Sequence, residues 1–336
     1  MPVRKSIAGA SIALIAVIAL AVTTGGFAAS AKKSDTTKAA VITDIGGLGD
    51  KGFNDLCAKG VRTAAKKLKI TPRIFISKSA ADYIPNLSAA ARGGYNPVVV
   101  CGFLMGGDIE KAAKKFPDTS FGIIDYSQGW MKSDPQNLRG ALFSENESGY
   151  LMGVAAAMAS KTNTVSAVGG QAVPAVVAYL AGFKAGAKKT KKGIKVVTAY
   201  SEDFVDQAKC KEIALNQIAA GSGAVFQAAG NCGLGALAAA KEKGVWGIGV
   251  DTNQGFLGKH ILTSALKKVD LGVLRMIEDV KKDTFAGGAD SLFTVKNGGV
   301  GFAPVSTKAP NRAKIIAKLK ATSTLIAAGK IKPPKK

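Results

Sequence analysis

The sequence predicts an α/β fold built from two doubly wound lobes, each with a parallel sheet. Short apolar runs alternate with longer helical segments, this alternation occurs in two successive series, and 336 residues exceed what one hydrophobic core usually serves. Parallel strands connected through helices require right-handed crossovers, which gather the carboxyl ends of the strands at one edge of each sheet. We therefore expect a ligand cleft between two opposed sheet edges.

Hydrophobic periodicity places the individual elements. The first series predicts strands at 39–45, 73–77, 97–103, 120–125 and 138–144, and helices at 53–68, 81–92 and 108–115. The second series predicts strands at 165–169, 195–201, 224–229 and 246–251, and helices at 145–159, 174–188, 205–219 and 233–243. A strand at 262–266 is expected to return to the first lobe, followed by a helix at 271–281, a hairpin around 297–299 and a last helix at 312–328.

The two ends of the sequence contain segments that are predicted to lie outside the two lobes. A basic start, an apolar run over 7–22 and small residues up to Ala31 are typical of a secretory signal peptide, predicted at 1–31 before a polar linker at 32–38. We expect an N-terminal lobe at 39–145 plus about 260–300, a C-terminal lobe at 146–259, and a helix and basic tail at 301–336 that pack across both lobes. No cysteine ends the apolar run, so we expect no lipid anchor and a protein that is soluble in the periplasm or outside the cell envelope.

The predicted export bears on the cysteines, because an oxidising compartment permits disulfide bonds. Cys57 falls in a helix and Cys101 at the end of a strand of the same lobe, and Cys210 and Cys232 repeat this relationship in the second lobe. We therefore predict that Cys57 pairs with Cys101 and that Cys210 pairs with Cys232. The spacings contain no CxxC pair, so a zinc site is not expected.

The formal charge of +23 comes mostly from lysines that recur along helix faces, and the chain has only seven arginines. Nucleic-acid-binding proteins usually concentrate arginines and aromatic residues on one face. A solvated basic surface is therefore favoured, and no nucleic-acid partner is expected. We expect a monomer.

Catalytic and cofactor motifs are missing from the sequence. His260 is the one histidine, and no GxSxG elbow occurs. The glycine turn formed by Gly46, Gly47 and Gly49 lacks both the Walker ending and the full GxGxxG spacing. We expect neither a cofactor nor a metal ion, and no enzymatic activity.

Three aspartates carry the binding prediction. Asp44, Asp125 and Asp251 each end a predicted strand, and they are divided between the two lobes. A carboxylate accepts hydrogen bonds from adjacent hydroxyl groups, so acids at a cleft edge suit a sugar or ribose ring. Phe53 and Phe204 follow strands of opposite lobes, where they are placed to stack on a planar ring. An ordinary core position is the alternative for either residue, and it is favoured for Phe204 considered alone.

Several motifs resemble the basic membrane protein family, which comprises substrate-binding proteins of nucleoside ABC importers. The first is TDIGGLGDKGFN at 43–54. The likeness continues through FPDTSFGIID at 116–125, SENESGYLMGVAAA at 144–157, VGG and LAGFKAG within 168–186, IGVDTNQ at 248–254 and LTSALKKVD at 262–270. This resemblance implies a type I periplasmic-binding-protein fold that captures a nucleoside, most often a purine nucleoside, and delivers it to an ABC permease.

The resemblance also implies roles for particular residues. Phe53 and Phe204 correspond to the family's base-stacking aromatics, and Asn54 to a residue that hydrogen-bonds the base. For the ribose, the resemblance implies that Asp44 and Asp251 bind the hydroxyl groups with help from Lys267, while Asp125 matches a further cleft acid.

Two departures from the family pattern leave the preferred base open: AAGNCG at 228–233 and EDF at 202–204. Two alternatives also stay open. One is a receptor for a sugar or a small signalling molecule on the same fold, and the less favoured one is a nucleoside hydrolase that holds a metal ion with Asp44 and Asp50.

Overall fold

The computed structural model describes residues 37–336, in which strands and helices alternate. The strands are β1 (Lys38–Ile42), β2 (Thr71–Phe75), β3 (Val98–Cys101), β4 (Phe121–Ile124), β5 (Leu138–Phe143), β6 (Thr164–Gly169), β7 (Lys195–Tyr200), β8 (Ala224–Ala228), β9 (Trp246–Asp251), β10 (Ile261–Lys267), β11 (Ala289–Phe293) and β12 (Val300–Phe302). The helices are α1 (Phe53–Leu68), α2 (Tyr83–Arg92), α3 (Gly106–Lys115), α4 (Glu145–Ala159), α5 (Pro174–Thr190), α6 (Gln207–Ala219), α7 (Gly233–Glu242), α8 (Val269–Lys281) and α9 (Arg312–Ala327).

The strands form two six-stranded sheets, which confirms the predicted fold class. The first sheet has the order β11-β5-β4-β3-β1-β2, and the second has the order β12-β10-β9-β8-β6-β7. Neighbouring strands run parallel throughout the described residues, except that β12 is antiparallel to β10. In each sheet the parallel strands therefore direct their carboxyl ends to the same edge.

Both faces of each sheet are covered, which explains why the central strands read as continuous apolar runs. In β3, Val99 and Cys101 point to the core shared with α1 and α8, whereas Val98 and Val100 point to the core shared with α2 and α3. The second sheet is arranged in the same way. One of its cores includes residues of α4, α5 and α9, and the other includes residues of α6 and α7.

Helices α4 and α5 pack closely because small residues occupy their interface. A Cβ atom on Gly153 would lie 2.1 Å from the carbonyl oxygen of Phe183, and a Cβ on Gly182 would lie 2.1 Å from the carbonyl oxygen of Asn146. Larger side chains at these positions would force the two backbones apart. This contact accounts for the alanine and glycine content of both helices.

The prediction that the strand at 262–266 returns to the first lobe is wrong, because β10 lies in the second sheet. It pairs in parallel with β9, with Ala265 opposite Val250. The intervening loop holds it there, since Gln254 donates its backbone N–H to the Ser264 hydroxyl (3.0 Å). The chain reaches the first sheet only afterwards, through α8, which packs on α1, and β11, which pairs with β5.

The predicted hairpin around 297–299 is also wrong, although the turn itself is present. Asn297 Oδ1 accepts hydrogen bonds from the backbone N–H groups of Thr294 (2.7 Å) and Gly299 (3.2 Å). The flanking strands belong to different sheets, because β11 pairs with β5 and β12 pairs with β10. Turn residues determine the local reversal of the chain, but they do not determine which strands pair.

Helix α9 packs on the second-sheet side of the protein, which differs from the expected packing across both lobes. It contacts α4, and its buried residues Ile315, Leu319 and Ile326 join the core that contains α4 and α5. Beyond it, the carbonyl oxygen of Pro333 accepts a hydrogen bond from Asn146 Nδ2 (2.7 Å). The C-terminal segment thereby completes one face of the second sheet.

The predicted signal peptide, and with it the expectation about a lipid anchor, falls outside the described residues. So does the predicted linker, apart from Thr37 and Lys38, and Lys38 begins β1. Among residues 37–336, no helix has the length and apolar character needed to cross a bilayer.

Candidate ligand-binding site

A cavity that is partly open to solvent is lined by residues that follow strands of both sheets. The structure brings all seven residues predicted to bind a ligand into its wall: Asp44, Phe53, Asn54, Asp125, Phe204, Asp251 and Lys267. Their common position follows from the parallel sheets, which place strand ends of distant sequence segments side by side. Their roles toward a ligand remain predictions.

Asp44 lies in the turn after β1, where its side chain is held by the loop that it begins. Its Oδ1 accepts hydrogen bonds from the Gly46 backbone N–H (2.9 Å) and from Asn54 Nδ2 (2.8 Å). Gly102, with φ of +125°, allows close approach, since a Cβ there would lie 2.8 Å from Asp44 Oδ2. Oδ2 makes no hydrogen bond within the part of the chain that the structure describes, so it can accept one from a ligand.

Asn54 organises this loop with nearly all of its hydrogen-bonding capacity. Its Nδ2 donates to Asp44 Oδ1 and also to Asp50 Oδ2 (3.2 Å), while its Oδ1 accepts the backbone N–H of Asp44 (3.2 Å). Both amide hydrogens are therefore engaged, and one lone pair on Oδ1 remains for a ligand. These contacts hold the loop in place, and the base contact that the resemblance implies for Asn54 remains a prediction.

Asp50 is a cavity residue that was not included among the predicted ligand contacts. Its carboxylate accepts the backbone N–H groups of Gly52 (2.9 Å), Asn54 (2.7 Å) and Asp55 (3.2 Å), and so caps the first turn of α1. Burial raises the pKa of Asp50, while these hydrogen bonds oppose the shift. The sequence feature that could have identified Asp50 is its position as an acidic residue shortly before the helix predicted at 53–68.

Lys267 is the buried cation of the site, with a side chain that is 2% exposed. Its Nζ lies 2.5 Å from Asp125 Oδ2 and 2.8 Å from Glu145 Oε1. Burial alone would lower the pKa of Lys267, but the carboxylates of Asp125, Glu145 and Asp251 raise it above its ordinary value. The lysine is therefore held as an ammonium ion by the surrounding acids.

Glu145, the first residue of α4, was missing from the sequence prediction. An acidic residue that directly follows an apolar strand and begins a helix is usually read as favourable to the helix dipole, and this reading conceals its contact with a distant lysine. Burial raises the pKa of Glu145 to about 7, against the opposing attraction of Lys267.

The carboxylates outnumber the cation, and this imbalance affects their protonation. Burial raises the pKa of Asp44 to about 6, although hydrogen bonds from Asn54 and Gly46 oppose the shift. Burial likewise raises the pKa of Asp251 to about 7, with Lys267 acting in the opposite direction. The cavity therefore favours groups that donate hydrogen bonds to carboxylates and disfavours anions.

Asp125 and Asp251 occupy equivalent positions with the same unusual backbone. Each stands at the end of a central strand, and φ is +69° at Asp125 and +63° at Asp251. Non-glycine residues rarely adopt this left-handed conformation, and aspartate is among those that tolerate it best. The conformation turns the chain at the sheet edge, where both carboxylates line the cavity.

The two predicted stacking residues enter the cavity from opposite sheets. Phe53 begins α1, half-buried, with the Lys267 ammonium 5.3 Å from its ring centroid. Phe204 lies in the loop between β7 and α6, and its carbonyl accepts the backbone N–H of Cys232 (3.0 Å). Asp206, two residues after Phe204, caps α6 by accepting the Ala208 N–H (2.8 Å) and is not among the residues that line the cavity.

Tyr179 is a further cavity residue that sequence reasoning missed. It belongs to α5, where its aromatic ring fits the apolar helix pattern and gives no separate signal. Its hydroxyl is buried and has no hydrogen-bond partner within residues 37–336. Burial and the nearby Asp251 carboxylate raise its pKa, so the hydroxyl stays protonated and can donate to a ligand or accept from it.

Disulfide bonds join Cys57 to Cys101 and Cys210 to Cys232, which are the two pairings predicted from the sequence. The Cα atoms are 6.5 Å and 5.5 Å apart, respectively. The first bond connects α1 to the end of β3, and the second connects α6 to Cys232, which directly precedes α7. The first ties α1, which begins with Phe53, to the segment that precedes Gly102, and the second ties α6 to the segment that contacts Phe204.

A metal site, as required by the hydrolase alternative, has no counterpart in the part of the chain that the structure describes. There, no cluster of three or more histidine, cysteine, aspartate or glutamate side chains is suited to hold a metal ion. Asp44 and Asp50, the two acids considered for this role, are bridged by the Asn54 amide.

Known proteins resemble this chain in sequence over most of its length. A family model described as "ABC transporter substrate-binding protein PnrA-like" matches residues 37–336. The ABC transporter nucleoside-binding protein BmpA of Lactococcus lactis is 35% identical over 321 residues, covering 88% of this chain and 90% of that protein. Basic membrane protein A1 of Borrelia garinii is 32% identical and covers 80% of each chain, and an uncharacterized lipoprotein of Pyrococcus furiosus is 29% identical.

A solved structure supports the same assignment. A solute-binding protein of an ABC transporter system from Aeropyrum pernix superposes with a TM-score of 0.79 at 25% identity, covering 89% of this chain and 94% of that chain. Its agreement extends across both sheets, since it spans nearly all of the described residues. Together with the family match, it shows that the chain belongs to the PnrA-like basic membrane protein family and is a solute-binding protein of an ABC transporter.

Proposed function

We propose that the protein captures a nucleoside in the cavity between its two sheets and delivers it to the permease of an ABC importer. The observation that carries the proposal is the combination of Phe53 and Phe204, from opposite sheets, with the carboxylates of Asp44 and Asp251 in one cavity. Aromatic rings suit the flat faces of a base, and carboxylates suit the adjacent hydroxyls of a ribose.

The proposed arrangement divides the ligand between two regions of the cavity. The base lies between Phe53 and Phe204, and the apolar side chains of Val173 and Val176 at the start of α5 contribute further contact area. The ribose lies toward the carboxylates, where Asp44 Oδ2 and Asp251 accept its hydroxyl hydrogens. A purine presents the larger stacking area and is the expected preference.

The family assignment supplies the transport role, and the name of the Lactococcus lactis relative supports the nucleoside class. Asp44, Asp50, Asp125 and Asp251 line the cavity together with one cation, Lys267, so the proposed ligand is uncharged at its sugar end. On this proposal the protein binds and releases its ligand unchanged, as a monomer and without a cofactor.

Calorimetric titration tests the ligand class. Inosine, guanosine, adenosine, uridine and cytidine are titrated into protein unfolded and refolded to remove bound ligand, with D-ribose, D-glucose and free hypoxanthine for comparison. We expect saturable binding of at least one purine nucleoside and little binding of ribose or base alone. Binding of a simple sugar with no binding of any nucleoside would refute the proposal, and release of free base during prolonged incubation would identify an enzyme.

A further inference from the structure

Two long stretches of the sequence contain lysines but no acidic residue. Residues 148–201 include seven lysines, and residues 291–336 include nine lysines and Arg312, with neither aspartate nor glutamate in either stretch. A shorter acid-free stretch, residues 56–81, contains five lysines and two arginines. The two long stretches together carry sixteen lysines in segments that are distant in sequence.

The fold brings these two segments to one face of the second sheet. Helices α5 and α9 both pack against α4, and all three contribute to the same hydrophobic core. Helix α4 is covered, since all but two of its fifteen residues are buried. The outer surface on this side, here named the α5–α9 face, therefore carries the exposed side chains of α5 and α9, including Lys184, Lys188, Lys189, Lys314, Lys318 and Lys320.

The opposite side of the same sheet shows that this charge pattern is not general. There, three of the four lysines in or directly after α6 and α7 are paired: Lys209 lies 3.2 Å from Asp203, and Lys211 and Lys243 lie 3.0 Å and 3.3 Å from Glu242. On the α5–α9 face, none of the six lysines forms a salt bridge with a described residue. Most lysines near α6 and α7 are thus paired, whereas the six on the α5–α9 face have no such partner among residues 37–336.

The chemistry of this face fits a flat anionic surface. The charges are lysines with only Arg312 among them, and the aromatic residues of α5, Tyr179 and Phe183, are buried. Nucleic-acid recognition relies on arginine forks and exposed stacking aromatics, and neither is available here. Lysines on an exposed helical surface are attracted to anionic lipid headgroups, and Leu325 adds an exposed apolar side chain on α9.

We propose that the α5–α9 face docks the protein on a bilayer surface rich in anionic phospholipid. The lysines occupy the C-terminal half of α5, whereas the N-terminal residues of that helix line the cavity. At a rise of about 1.5 Å per residue, the two ends of α5 are roughly 25 Å apart. Docking through this face therefore leaves the cavity accessible, and vesicle binding is independent of the ligand.

Vesicle sedimentation tests this proposal with protein that begins at Lys32, after the predicted signal peptide. Vesicles of equal parts phosphatidylglycerol and phosphatidylcholine are compared with pure phosphatidylcholine vesicles at low and high sodium chloride. We expect binding to the anionic vesicles at low salt only, because salt screens charges separated by more than about 10 Å at 0.1 M. No binding to anionic vesicles at low salt would overturn the proposal.

Matched variants separate a specific face from net charge. The triple change of Lys314, Lys318 and Lys320 to Gln is compared with the same change at Lys209, Lys211 and Lys243, and circular dichroism checks folding. The first variant is expected to bind anionic vesicles on the order of tenfold or more weakly, and the second to bind nearly as well as the parent. Equal losses, or tighter binding to duplex DNA than to vesicles, would contradict membrane docking through this face.

Discussion

The ammonium group of Lys267 in β10 contacts the carboxylate of Asp125, which follows β4 in the other sheet, with Nζ and Oδ2 2.5 Å apart. The same ammonium group lies 2.8 Å from Glu145 at the start of α4. A single buried cation therefore connects both sheets at the floor of the cavity. Without Lys267, it would cost much free energy to keep the buried carboxylates of Asp125 and Glu145 both ionised. The geometry of the site therefore depends on this lysine.

Replacing Lys267 with Met is expected to destabilise the protein by about 3–5 kcal/mol, because it leaves buried carboxylates without their cation. Urea unfolding monitored by circular dichroism measures the effect. The matched control is Lys59→Met, which removes the contact of an exposed ammonium group with Asp270 and is expected to cost less than about 1 kcal/mol. Similar losses in both variants would show that burial of Lys267 adds nothing to the strength of its ion pairs.

Replacing Phe53 with Ala is expected to weaken purine nucleoside binding by about 1–3 kcal/mol, the contribution of one aromatic ring stacked on a base. Calorimetric titration gives the dissociation constants. Phe256→Ala is the control, since that ring is 63% exposed outside the cavity and should leave binding unchanged. Unaltered affinity in Phe53→Ala would remove this residue from the proposed base-binding site.

Replacing Asn54 with Ala is expected to reduce the stability of the ligand-free protein as well as its affinity. The change leaves the carboxylates of Asp44 and Asp50 without the amide that bridges them, at a cost of about 1–3 kcal/mol. Urea unfolding without ligand is the decisive measurement. Asn163→Ala, which removes one exposed hydrogen bond, serves as the control. A loss of affinity with unchanged stability would instead indicate direct contact with the ligand.

The raised pKa of Asp251 predicts how stability depends on pH. The folded protein holds this proton up to about pH 7, whereas an unfolded chain releases it near 3.8, so the folded state binds more protons in between and stability falls as pH rises through this range. Asp251→Asn is therefore expected to raise the melting temperature of the ligand-free protein at pH 8 by at least about 2 °C, and to weaken nucleoside binding.

Asp203→Asn is the control for this effect, because backbone hydrogen bonds from Asp206 and Val205 lower the pKa of Asp203. This variant is expected to be destabilised at pH 8, so the two changes have opposite signs. Differential scanning calorimetry between pH 5 and pH 8 measures both. A lower melting temperature for Asp251→Asn at pH 8 would mean that the ionised carboxylate stabilises the fold.

Thiol titration tests the two disulfide bonds. Protein purified without reductant and denatured in guanidinium chloride is expected to show no reactive thiol, and reduced protein four. Loss of the bond between Cys210 and Cys232, which have a sequence separation of 22, is expected to lower stability by about 3 kcal/mol, since the bond restricts the unfolded chain. The Cys210→Ser and Cys232→Ser double variant isolates this bond. Four thiols before reduction would exclude both bonds.

The sequence by itself determined the fold class, because the alternation of apolar runs and helical segments is a local property of the chain. It also located the residues around the cavity, since acids and aromatics directly after buried strands must gather at the carboxyl edge of a parallel sheet. Asp44, Phe53, Asp125 and Asp251 lie in one cavity for this reason.

Only the tertiary structure decided which strands pair and which polar groups are neutralised. The positions of β10 and β12 depend on contacts between distant segments, which turn chemistry at 297–299 does not encode. Likewise, Glu145 and Tyr179 carry ordinary helical signals. Packing makes Glu145 a buried partner of Lys267, and it places Tyr179 in the cavity wall near Asp251. Local sequence specifies the elements, whereas packing between elements determines the electrostatics of the site.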